Sequence, residues 1–159
     1  MSYRSWTECG LGFCADDVAV TKQSLFELSR QSCWVRDMLE LFTNESSDFC
    51  DLAVHDPTGE QFVKEFFGWY EGMSGGYGAS AFFRDVIFAK HPSVGNYVVS
   101  VQDVEGVGFV LFSPCYPWDM NDEIKSVTEE DIGRVFNDVL EPLTGSKVSL
   151  SYQEVTCGG

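Results

Sequence analysis

Residues 97–112 read YVVSVQDVEGVGFVLF, and this stretch decides the fold. Tyr97, Val99 and Val101 alternate with Val98, Ser100 and Gln102, a polar turn follows at Asp103–Gly106, and Val107–Phe112 returns as a second apolar run. Two β-rich runs joined by a short turn are the strongest hairpin signal in the chain. The reading places this hairpin in the middle of an antiparallel sheet.

Further strands are expected near both ends. Tyr3–Cys9 alternates aromatic and polar residues, with Gly10 and Gly12 ending the run, and Lys147–Val155 alternates again with Val148, Leu150 and Tyr152 inward. Between them the period is helical. Thr21 is the N-cap of a helix reaching about Arg30, and Trp34, Val35, Met38, Leu39, Leu41 and Phe42 recur as the apolar face of the next. Thr43–Gly59 reads as a polar loop around Cys50–Val54. Glu60–Glu71 is an aromatic helix bearing Phe62, Phe66, Phe67, Trp69 and Tyr70, either central to the core or with one aromatic edge exposed. After a glycine-rich turn at 72–78, Ala79–Lys90 is a helix that Pro92 stops. Trp118–Lys125 makes a helical turn, and Thr128 caps a helix carrying Ile132, Val135, Phe136, Val139 and Leu140, ended by Pro142 and Gly145. These elements predict one α+β domain over residues 1–159, an antiparallel sheet of about four strands with helices packed on one face.

Charge bounds the function. The chain of 159 residues carries 25 Asp plus Glu against 10 Lys plus Arg, a formal net charge of -15, yet it is 44% hydrophobic with 13 Phe, 6 Tyr and 4 Trp. A disordered acidic tail lacks such aromatics, so the charge is displayed on a folded surface. That field repels nucleic acid and anionic membrane and attracts a basic partner. No apolar stretch approaches the roughly 20 residues that cross a bilayer, and the start MSYRSWTECG has no apolar leader core. The expected location is the cytoplasm. The six cysteines lack Cys-x-x-Cys spacing and read as reduced, buried thiols, with no metal or cofactor expected.

Catalytic motifs fail on context. Gly72, Ser74 and Gly76 match Gly-x-Ser-x-Gly, with Asp85 and His91 following, but a nucleophile elbow needs a strand before its serine and here a helix precedes it. Gly10-Leu11-Gly12 and Gly76-Tyr77-Gly78 resemble dinucleotide turns, and neither opens a βαβ unit. Cys14 beside Asp16 and Asp17 is a poor nucleophile, because neighbouring carboxylates oppose thiolate formation.

The acids do form a block. Asp119, Asp122, Glu123, Glu129, Glu130, Asp131, Asp138 and Glu141 place eight carboxylates in 23 residues, opposed by Lys125 and Arg134. On a helix, acids three or four apart stand roughly 5–6 Å from one another, approaching the phosphate spacing of a nucleic-acid strand. These eight are the expected partner-binding residues. The expected function is a non-enzymatic inhibitor or regulator that engages the basic nucleic-acid-binding surface of another protein. Two alternatives stand beside it: a small carboxylate- or metal-dependent enzyme using Asp16 and Asp17, and an acidic domain whose charge serves solubility alone.

Several strings also carry a resemblance: Trp6 with Gly10–Asp17, the Tyr116-Pro117-Trp118 step, the Thr128-Glu129-Glu130 helix start, and Tyr152–Val155 with Gly158-Gly159. In this order they resemble a family of small acidic proteins of unknown function from Firmicutes and their phages. The resemblance implies a mobile-element setting, an anti-CRISPR-like role and a basic host partner such as a CRISPR effector. It carries no catalytic residues.

Overall fold

The computed structural model describes residues 4–45, 59–75, 78–113 and 122–158. Its elements in chain order are β1 (Ser5–Cys14), α1 (Lys22–Gln31), α2 (Cys33–Glu45), α3 (Glu60–Ser74), α4 (Ala79–Lys90), α5 (Pro92–Gly95), β2 (Val98–Gln102), β3 (Gly108–Phe112), α6 (Asp122–Lys125), α7 (Glu129–Thr144) and β4 (Ser151–Gly158). The strands form one antiparallel sheet in the order β2-β3-β1-β4, and the fold is α+β as the sequence predicts. The hairpin is present, with Val99 opposite Leu111 and Val101 opposite Phe109. It does not lie in the middle, however: β2 is an edge, and β3 and β1 are the central pair.

The expectation that Gly10 and Gly12 end the first strand is also corrected, because β1 continues through both to Cys14. Gly12 lies opposite Leu111, and a side chain at Gly10 or Gly12 would collide with the carbonyl oxygens of Phe112 or Val110. Glycine is required there because another backbone comes too close for a Cβ. The sheet curls so far that β2 and β4, its two ends, approach each other without hydrogen-bonding. Leu111, Val155 and Cys157 are buried on this face, with Val99, Val101 and Phe109 packed around them. Burial, with the Glu8 and Asp103 carboxylates nearby, raises the Cys157 thiol above its usual range.

The helices cover the other face. Phe13, Val98, Val110 and Phe112 from the sheet join Leu25, Leu28, Val35, Leu39, Phe62, Phe66, Phe82, Phe83, Phe136 and Leu140 in one buried cluster. Thr21 begins α1 with a reciprocal cap: the Ser24 amide donates to Thr21 Oγ1 at 3.0 Å and the Thr21 amide to Ser24 Oγ at 2.9 Å. α3 is central to the core, since Phe62, Phe66 and Tyr70 are buried. It runs on to Ser74, where Gly75 ends it in the left-handed conformation, so Gly72 and Ser74 belong to the helix and not to a turn. The buried Tyr70 hydroxyl donates to Asp85, and burial followed by that carboxylate raises the phenol, which stays protonated.

Other expectations shift by local geometry. On α2, Val35, Leu39 and Phe42 face the core, but Leu41 is 43% exposed. Pro92 does follow the end of α4 and opens the short α5. β4 begins at Ser151, later than expected, and its parity is reversed: Val155 and Cys157 are buried while Tyr152 is 68% exposed. Val148 and Leu150 pack against the helical core without being strand residues. Pro142 does not stop α7, which continues to Thr144 and ends at the left-handed Gly145. A proline at position 142 leaves the Asp138 carbonyl without its helical donor. Lys90 Nζ reaches that carbonyl from α4 at 3.4 Å and takes the missing amide's place.

Candidate functional site

The acidic block spans α6 and α7, and burial decides which of its side chains face outward. Ile124 is the buried anchor of α6, leaving Asp122, Glu123 and Lys125 exposed. On α7 the apolar positions Ile132, Phe136, Val139, Leu140 and Leu143 pack inward. Glu130, Arg134, Asp138 and Glu141 are exposed on the opposite side. The helix start is fixed by Thr128: the Asp131 amide donates to Thr128 Oγ1 at 3.1 Å, and the Thr128 amide donates to Asp131 Oδ2 at 3.1 Å. Glu129, Glu130 and Asp131 then occupy the first turn, where the helix dipole favours anions.

Two of the predicted site acids are committed within the molecule. Asp131 caps its own helix and also receives Arg134 Nη2 at 2.6 Å. The Thr128 backbone, then the Thr128 side chain and Arg134, hold its carboxyl below the usual range. Asp138 accepts from His91 at 2.6 Å and pairs with Lys90 at 3.3 Å. Burial pushes its carboxyl up, but the His91 and Lys90 hydrogen bonds and charges outweigh that and hold it low. Asp119 lies outside the described residues. Asp122, Glu123, Glu129, Glu130 and Glu141 have no ion-pair partner among the described residues.

This arrangement changes the reading of a continuous phosphate-like row. Glu130 and Glu141 are eleven residues apart, about 16 Å along a helix, and Arg134 and Asp138, already paired with Lys90 and His91, stand between them. The free acids therefore concentrate at one end, residues 122–130. Along α7 runs an open, shallow groove of about 1110 Å³, bordered by Gln31, His91, Glu130, Arg134, Glu141 and Lys147. Its cations temper the field that the α7 acids alone would give. Sequence reasoning missed Lys90, His91 and Lys147 as members of this face. No local signal marks them, since His91 lies 47 residues before Asp138.

The low Asp138 carboxyl implies a pH dependence. Because its folded value lies below its unfolded one, its contribution is present above the unfolded value, about pH 4, and is lost as pH falls through the folded value. An Asp138→Asn variant is therefore less stable than the wild type at pH 7, and the difference narrows below about pH 4. Thermal melts across that range check this, and a difference that widens toward low pH contradicts it.

The residues of the rejected motifs have other partners: Asp85 accepts from Tyr70 and Arg84, and His91 donates to Asp138. Asp16 and Asp17 form a short turn after β1, and Asp16 borders a smaller cleft of about 410 Å³ with Lys64, Glu71 and Ser80. Among the described residues, no group of three or more His, Cys, Asp or Glu is placed to hold a metal ion, and no helix is long and apolar enough to cross a membrane. The chain matches no protein-family model, no curated protein and no solved structure.

Proposed function

We propose that this protein is a binding module, not a catalyst, and that it occupies the basic surface of a nucleic-acid-binding protein through the acidic end of α6 and α7. The observation that carries the reading is the cluster Asp122, Glu123, Glu129 and Glu130, four exposed carboxylates with no intramolecular ion pair among the described residues. Unspent charges keep their field for a partner, whereas Asp131 and Asp138 are already compensated at home. Such a cluster steers encounter with a cationic groove and gives association a strong salt dependence.

Capture of partners from a host lysate at low and high salt, followed by charge reversal, tests the proposal. The double variant Glu129→Lys/Glu130→Lys loses at least about tenfold in affinity, equivalent to about 1.4 kcal/mol. Its fold survives, because reversing an exposed first-turn charge costs about 0.6–2 kcal/mol, twice the worth of one favourable dipole charge. Glu141→Lys, at the far end of α7, has little effect. Salt-indifferent binding, or equal binding by the double variant, would refute the α6–α7 contact.

A further inference from the structure

We infer that the cleft between α3 and the β2–β3 turn binds free arginine, a small ligand with two cationic groups and one carboxylate. The cleft holds about 410 Å³, within the roughly 300–1,000 Å³ of small-molecule sites. Lys64, Phe67, Gly68 and Glu71 line it from α3, and their spacing of i, i+3, i+4 and i+7 makes them a single stripe of that helix. Gln102 and Gly106, at the β2–β3 turn, also line it, as does Asp16 on the short turn after β1.

The charges of this cleft are unspent. Asp16, Lys64 and Glu71 are exposed, and none of them has an ion-pair partner among the described residues. Opposite charges that border one cleft without reaching each other leave both signs for a ligand to bridge. Two carboxylates and one ammonium match arginine with every sign reversed. Gly68 adds an independent observation. It sits in the interior of α3, where glycine costs about 1 kcal/mol relative to alanine, yet a Cβ there would meet nothing within 4 Å, so packing does not require it. The missing side chain leaves the stripe open between Lys64 and Glu71, which stand about 10 Å apart along the helix. That span suits an extended arginine and not a ligand as short as glycine. Phe67 and Glu71 are one turn apart, so a guanidinium laid on the half-buried Phe67 ring also meets the Glu71 carboxylate. The α-carboxylate then pairs with Lys64 and the α-ammonium with Asp16.

This cleft shares no lining residue with the α6–α7 face, so the inference and the proposed function can fail separately. The probe is L-arginine, titrated into the full chain at fixed ionic strength and followed by amide NMR shifts. Agmatine, which lacks the carboxylate, and citrulline, which lacks the side-chain charge, are the comparisons. Arginine shifts the amides of Gly68, Gly106 and Gly108 saturably, agmatine binds about three- to fivefold more weakly, and citrulline about tenfold more weakly. Lys64→Gln abolishes the preference for arginine over agmatine, and Glu71→Gln weakens arginine about three- to fivefold. Gly68→Leu, which fills the stripe, abolishes the response while its melting temperature reports that it is folded. Glu129→Lys/Glu130→Lys leaves the response in place. Equal binding of the three ligands, shifts that never saturate or that centre on α6 and α7, or an arginine affinity unchanged in both Lys64→Gln and Glu71→Gln would each overturn the inference.

Discussion

Truncating Phe82 to alanine lowers the free energy of unfolding by about 3–5 kcal/mol, the range for a fully buried phenylalanine. The upper part of that range is expected from what surrounds the ring. Phe82 has no exposed surface and stands 5.3 Å from the Phe66 ring, 5.5 Å from Phe67 and Tyr70, and 5.8 Å from Trp34, centre to centre. These neighbours come from α2 and α3 while Phe82 sits on α4. Several of them also hold one another, as Phe66 does with Phe67 and Tyr70. A cavity among mutually propped rings cannot collapse, so both the transfer loss and the lost contacts persist. Against a total of about 5–15 kcal/mol for an ordinary domain, the variant is near the edge of folding. Urea denaturation of Phe82→Ala beside Phe88→Ala, a partly exposed ring on the same helix, checks this. A loss below about 2 kcal/mol at Phe82 would mean that the cluster relaxes around the gap.

Gly12→Ala is expected to be as damaging with the opposite chemistry, adding one methyl instead of removing a ring. The new carbon would overlap the Val110 carbonyl oxygen and lie 2.9 Å from Leu111 Cα, all of it backbone that no rotamer change can move. Relief requires β1 and β3 to separate where Leu11 pairs with Phe112 and Phe13 with Val110. Overpacking of this kind costs about 3 kcal/mol or more. Gly68→Ala on α3 is the control, since nothing lies within 4 Å of its added carbon. That substitution gains up to about 1 kcal/mol from helix propensity. Equal melting temperatures for the two variants would contradict the account.

The pair Gly12 and Thr128 shows where sequence reading succeeds and where it stops. Thr128 and Asp131 are three residues apart, so the chemistry of the cap is contained in the string that encodes it; the same holds for Thr21 and Ser24. The hairpin was legible for the same reason, its two runs and turn being contiguous. Gly12 is glycine because of Val110, and nothing near position 12 announces a carbonyl nearly a hundred residues later. Read locally, it looks like a strand end. Pro142 is misread likewise, as a helix stop, because the lysine that fills the vacated hydrogen bond lies 48 residues before Asp138. At the candidate site the carboxylates themselves were legible, but not which of them are spent. Asp138 looks like Glu141 in the sequence, and only the approach of α4 distinguishes them. Alternation predicts Tyr152 inward, and a period of two cannot say which of the two faces is the buried one.

The ladder between β1 and β4 joins opposite ends of the sequence, with Ser5 meeting Gly158. During synthesis β1 emerges well before β4 and cannot find this neighbour until residue 158 has left the ribosome. The small cluster of Leu111, Val155 and Cys157 must therefore assemble after the helical core, whose contacts close over shorter loops. Until then β1 carries exposed backbone and an uncovered Trp6, and the nascent chain is at its most vulnerable to mispairing. Its dense negative charge is then a safeguard acting in time as well as in space, keeping neighbouring nascent chains apart until β4 arrives.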